Sequence, residues 1–125
     1  MEAQERTRQK LAAAIKEEME HTSLDKITVT QIVERAGVTR QTFYRNFKDK
    51  YDLVNWIFDS EFLQTIRPEA YHSGWALLAD MCAYFYREQT FYRSALLISG
   101  QNSFREYFGQ AIAPIMSFFA QDIFD

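Results

Sequence analysis

An all-α fold is predicted by three observations. Apolar residues recur at helical spacing, as in Leu11, Ile15 and Met19, and the pattern returns along most of the chain. No segment reads convincingly as a strand. The punctuation is that of helices: Thr28 with Gln31, Thr39 and Asp49 stand where N-caps are expected, and Gly37 stands where a helix must end.

Taken in order, the first helix is expected from about Glu5 to His21, with a polar back and an apolar stripe. A short loop follows, with Leu24 and Ile27 as core plugs. Thr28 opens a second helix, and Thr28-x-x-Gln31 is the pattern of a capping box. Its buried face is Ile32, Val33 and Ala36. Gly37 ends it, because glycine enters the left-handed region without steric cost. Thr39 caps a third helix to about Asn46, with Phe43 and Phe47 pointing inward at i, i+4. Asp49 caps a fourth, expected to run through Leu53, Trp56, Ile57 and Phe62 until Pro68 stops it.

Beyond it, helices are expected over about Ala70–Arg87 (Trp75, Leu78, Met81, Cys82, Phe85 inward) and Phe91–Ile98. A loop is expected over Ser99–Ser103, then a last helix with Phe104, Tyr107, Phe108, Ile112 and Ile115, kinked at Pro114. Two short helices joined by a Gly-containing turn and packed on a longer one make a helix-turn-helix over residues 28 to 47. The boundaries drawn are 1–50 for that domain and 51–125 for a helical regulatory body.

Composition is that of an ordinary globular chain: 125 residues, 47% hydrophobic and 25% charged. Cys82, the single cysteine, cannot form an intramolecular disulfide and has no metal-ligand spacing around it, so no metal or cofactor is expected. A soluble, cytoplasmic protein is the expectation: the N-terminus does not read as a signal peptide, and apolar runs such as Ala95–Ile98 are too short to cross a bilayer. The net charge of −3 is unevenly placed: residues 1–50 carry +2 and residues 51–125 carry −5. Within Lys26–Lys50 the balance is +4, as a segment that meets phosphates would have, although a solvated helix face has the same signature.

The stretch Ile27-Thr-Val-Thr-Gln-Ile-Val-Glu-Arg-Ala-Gly37-Val-Thr-Arg-Gln-Thr-Phe-Tyr44-Arg-Asn-Phe-Lys-Asp-Lys50-Tyr-Asp-Leu53 closely resembles the DNA-binding domain of the tetracycline-repressor-like (TetR) family. The match is ungapped: an Ala-Gly-Val-Thr turn, an aromatic-Tyr-x-x-Phe recognition helix, and a Lys opening the fourth helix. The resemblance implies a transcriptional regulator whose recognition helix enters the major groove of double-stranded DNA. Arg40 and Gln41, at the N-terminal end of that helix and opposite Phe43, are the candidates for base readout: Arg can fork onto guanine, Gln onto adenine. Tyr44, Arg45, Thr28, Thr39 and Lys50 are candidates for phosphate contacts that hold register. Each has a plainer reading. Thr28 and Thr39 are caps in any case, Tyr44 could edge the core, and Arg45 and Lys48 could be merely solvated. Val33 departs from the Ala many helix-turn-helices place there, implying slightly wider packing.

The second half resembles the family's ligand-sensing body but names no ligand. Seventeen aromatics follow Lys50, and Trp75, Tyr84, Phe85 and Tyr107 are the candidates for lining an effector cavity, against the alternative that they fill a core. The segments Tyr51–Phe58, Phe91–Gly100 and Ser103–Phe108 look similar to the branch related to dihydroxyacetone kinase operon activators, in which a protein co-regulator can replace a diffusible effector. No catalytic residues are expected. His21 and His72 have no partners at ligand spacing, and there is no phosphate loop or nucleophile elbow. Competing readings are an interaction module that has lost DNA binding and a stand-alone effector-binding protein. The family implies a homodimer on a palindrome, built through helices after Asp125, so the regulatory body is expected to be shortened at its C-terminus. Phe118, Phe119 and Phe124 are then expected to be exposed.

Overall fold

Thr28 caps its helix as the spacing to Gln31 predicts. In a computed structural model, which describes residues 2–67, 70–97 and 103–120, its hydroxyl accepts from the Gln31 amide at 3.1 Å. The Gln31 side chain in turn accepts from the Thr28 amide at 2.8 Å. The described residues fold into α1 (Glu2–Met19), a 3-10 turn (Leu24–Lys26), α2 (Val29–Ala36), α3 (Arg40–Asn46), α4 (Lys50–Glu61), a second 3-10 turn (Leu63–Thr65), α5 (Gly74–Arg87), α6 (Gln89–Leu97) and α7 (Phe104–Phe118), with no strand among them. Gly37 takes φ 75° and ψ 32°, and its amide donates to the Val33 carbonyl at 2.8 Å, so α2 reverses into α3 within three residues. Thr39, Asp49 and Ser103 cap α3, α4 and α7 by accepting from backbone amides three residues on.

Several boundaries differ from expectation. α1 begins at Glu2, a turn early. α4 stops at Glu61 instead of continuing toward Pro68, which lies outside the described residues. Phe62 leaves helical geometry, and Thr65 and Ile66 bond three residues back to Phe62 and Leu63; this tighter turn buries Phe62 and Ile66 together. α5 begins at Gly74, because Ser73 supplies the cap. Its buried face is Leu77, Met81 and Tyr84; Met81 is buried as expected and Leu78 and Phe85 are half-buried against the core, but Trp75 is 60% exposed and Cys82 exposed. α6 begins two residues early; Ile98, and all of the expected Ser99–Ser103 loop except Ser103, lie outside the described residues. Helix α7 carries Pro114 within it and continues to Phe118. Ala36 is only half-buried. Phe118 is exposed as expected, but Phe119 is buried, its ring edge-on to Phe118 at 4.9 Å; Phe124 lies outside the described residues.

One apolar core runs from the helix-turn-helix into the later helices. α1 packs on α2, α3, α4 and α6, and α4 on α7. At the hub is Phe58 of α4, fully buried, with the rings of Phe62, Tyr84, Phe85, Tyr92, Phe104 and Phe108 at centroid distances of 5.3 to 6.4 Å. The edge-on and offset arrangements favoured by aromatic quadrupoles dominate this cluster. α4 therefore belongs to both halves of the molecule.

Candidate nucleic-acid interface

Helix α3 is held from beneath by aromatic packing. Phe43 is fully buried, with Phe47 at 5.9 Å, and Phe47 in turn meets Trp56 of α4 at 5.8 Å. The Arg8 guanidinium of α1 lies 5.9 Å from the Phe47 ring centre and donates to the Asn46 side chain at 3.3 Å. These contacts fix the roll of α3, so Thr39, Arg40, Gln41, Tyr44 and Arg45 all face solvent.

Each expected residue has a definite place. Thr28 and Thr39 are helix caps with exposed side chains. Tyr44 is 49% exposed, its ring edge-on to Phe43 at 5.2 Å, so it is neither free nor core. The Gln41 side chain is exposed. Arg40 is held: it donates to the Thr30 hydroxyl at 2.7 Å, and its guanidinium lies 5.7 Å from the Tyr44 ring centre.

Lys50 does more than open α4. Its ammonium donates to the backbone carbonyls of Ile27 at 2.8 Å and Asp25 at 3.1 Å, tying the start of α4 to the loop between α1 and α2. Partial burial pulls its pKa below the ordinary lysine value, with Asp25 and Asp49 acting in the opposite direction. Arg35, within the basic segment, is bound by Glu17 at 2.9 Å and Glu18 at 2.8 Å, so its charge is neutralised locally. The positive face is thus narrower than a count of basic residues suggests. Thr30 and Asn46 escaped the sequence reading, because neither lies on a residue's own capping register; both act across the gap between helices.

A second feature lies in the body. A cavity of about 450 Å³ is lined by Met81, Cys82, Phe85, Gln89, Tyr92, Arg93, Leu96, Phe104 and Phe108. Of the four expected lining residues, Phe85 is there. Trp75 projects into solvent, Tyr107 is half-buried and donates to Asp59 at 3.3 Å, and Tyr84 lies behind the wall. The lining comes from α5, α6 and α7 together, and only tertiary packing decides which residues of those helices meet.

Behind the cavity, a line of polar contacts crosses to the helix-turn-helix. Tyr84 donates to Glu61 at 3.0 Å and pairs with the hydroxyl of Tyr92. Lys16 of α1 bridges Glu61 at 2.6 Å and Glu88 at 3.2 Å. Ser94 of α6 accepts from the Leu24 amide at 3.0 Å. Burial raises the pKa of both Tyr84 and Tyr92 above the ordinary tyrosine value, so both hydroxyls stay protonated near neutrality. Among the described residues no group of His, Cys, Asp and Glu side chains could hold a metal ion, and no helix is long and apolar enough to cross a membrane.

Residues 11–57 match the family model described as bacterial regulatory proteins, tetR family. The chain is 30% identical over 103 residues to the HTH-type dhaKLM operon transcriptional activator DhaS of Lactococcus lactis subsp. lactis (strain IL1403), covering 82% of this chain and 54% of that protein. A solved structure of a dihydroxyacetone kinase operon activator DhaS superposes with a TM-score of 0.68 at 26% identity, covering 93% of this chain and 65% of that one. The chain therefore spans about half the length of the curated relative it matches.

Proposed function

We propose that this chain, whose residues 11–57 match the tetR family of bacterial regulatory proteins, binds double-stranded DNA sequence-specifically and regulates transcription. The observation that carries the reading is the outward face of α3. Thr39, Arg40, Gln41, Tyr44 and Arg45 stand exposed on a helix whose opposite side is locked by Phe43 and Phe47. Such a helix presents its N-terminal residues to base edges in a major groove. Arg40 and Gln41 read sequence, Thr28, Thr39, Tyr44 and Arg45 hold the backbone, and Lys50 stiffens the frame.

Residues 1–50 form the reading unit and residues 51–125 the regulatory one, with α4 shared between them. The working species is a homodimer on a palindrome in the cytoplasm, since two half-sites about one helical turn apart share the work in such motifs. The cavity between α5, α6 and α7 is the effector site, and its apolar lining suits an apolar molecule. No catalytic role is assigned. A protein co-regulator is the alternative to a diffusible effector.

The test is a mobility-shift titration on DNA upstream of the chain's own and neighbouring genes, repeated at several salt concentrations. Retardation of one segment over the others, weakening linearly in log salt, is expected. Equal and weak binding to every segment would contradict sequence-specific recognition.

A further inference from the structure

We propose that Thr30 is a positioning residue for base readout, its hydroxyl on α2 setting the guanidinium of Arg40 on α3. The inference rests on the reading that α3 enters a DNA groove, and it concerns how Arg40 is prepared for that task. An exposed arginine ordinarily samples many rotamers, and ordering one on binding weakens the complex. Arg40 is instead held on two sides in the free protein: Thr30 Oγ1 accepts from its Nη1 at 2.7 Å, and the Tyr44 ring centre lies 5.7 Å from its guanidinium carbon.

The nature of the holding group matters. Arg35, ten residues after Asp25 and on the same α2 helix as Thr30, is bound by two carboxylates, which oppose its charge and occupy its fork. Thr30 is neutral and takes one donor, so Arg40 keeps its full charge and its remaining N–H groups, enough for a forked contact to guanine O6 and N7. Orientation without neutralisation is what a reading side chain needs. Thr30 and Arg40 are both exposed, so the bond contributes little to the core and its removal leaves the fold in place.

The experiment uses the full chain and duplexes enriched by it from a pool with a randomised centre. Binding to the enriched duplex and to its single-base-pair variants is measured for the parent, Thr30→Val, Thr30→Ser, Arg40→Ala and the double variant Thr30→Val with Arg40→Ala, with thermal melts alongside. Thr30→Val is expected to bind about fivefold more weakly, the size of one ordinary net hydrogen bond, as suits an exposed pair. It should also blunt preference at the same base pair that Arg40→Ala blunts. Thr30→Ser should restore both properties, and Thr30→Val should change nothing further once Arg40 is alanine. The same loss from Thr30→Val in both backgrounds would show Thr30 acting on DNA by itself and overturn the proposal. So would an unchanged affinity in the parent background. Failure of Arg40→Ala to alter binding to any duplex, or failure of the parent to enrich one, would overturn the DNA-reading assignment as well as this one.

Discussion

Lys50 Nζ lies 2.8 Å from the carbonyl oxygen of Ile27, a residue twenty-three positions earlier that is itself buried at the foot of α2. The ammonium thus bridges the start of α4 and the loop that sets α2, the two supports on either side of α3. A second bond to the Asp25 carbonyl makes this a two-point clamp. An exposed anchor for phosphate and an internal strut would respond differently to substitution.

Lys50→Met keeps the apolar stem and removes the donors. It is expected to destabilise the chain by about 1–3 kcal/mol, since the Ile27 carbonyl loses a charged hydrogen bond where water has limited access. Urea denaturation checks this. An unchanged midpoint would return Lys50 to the role of a surface charge.

Phe58 joins the two halves of the molecule. Phe58→Ala should cost about 3–5 kcal/mol, as large aromatic truncations in well-packed cores do. Because the core is continuous from Leu11 to Ile112, unfolding followed by Trp fluorescence and by helical circular dichroism should stay coincident in the parent chain. Two separated transitions in the parent would mean that residues 1–50 and 51–125 fold independently.

Tyr84 and Tyr92 supply a pH dependence whose sign follows from burial. Their folded-state pKa values lie above the ordinary 10.0, so at higher pH the unfolded chain has released protons that the folded chain still holds. Stability contributed by these groups is full below pH 10.0 and falls as pH rises through it. Tyr92→Phe removes one such group and should flatten that decline, measured by denaturant unfolding at a series of alkaline pH values. An identical decline in Tyr92→Phe and parent would locate the effect elsewhere.

The helix-turn-helix was legible because its signals are local. Thr28 and Gln31 are three residues apart, Thr39 and Thr42 likewise, and Gly37 carries its backbone conformation with it. Phe43 and Phe47 share a face at any roll of α3 that buries one of them. The body was harder to read for an equally physical reason. On α5, Trp75, Leu78, Cys82 and Phe85 form as regular a stripe as Gly74, Leu77, Met81 and Tyr84, and periodicity alone does not choose between them. Packing buries the second fully and the first only in part, through Leu78 and Phe85. Contacts such as Thr30 with Arg40, Lys50 with Ile27 and Glu61 with Lys16 join residues ten to forty-five positions apart, and no local spacing announces them.

The most direct test of DNA reading by α3 compares the parent with Arg40→Ala on a bound duplex and on all its single-base-pair variants. Arg40→Ala should lose about 1–3 kcal/mol on the best duplex and become indifferent at one base pair, while its salt dependence changes little. Equal binding of Arg40→Ala and parent to every duplex would contradict it.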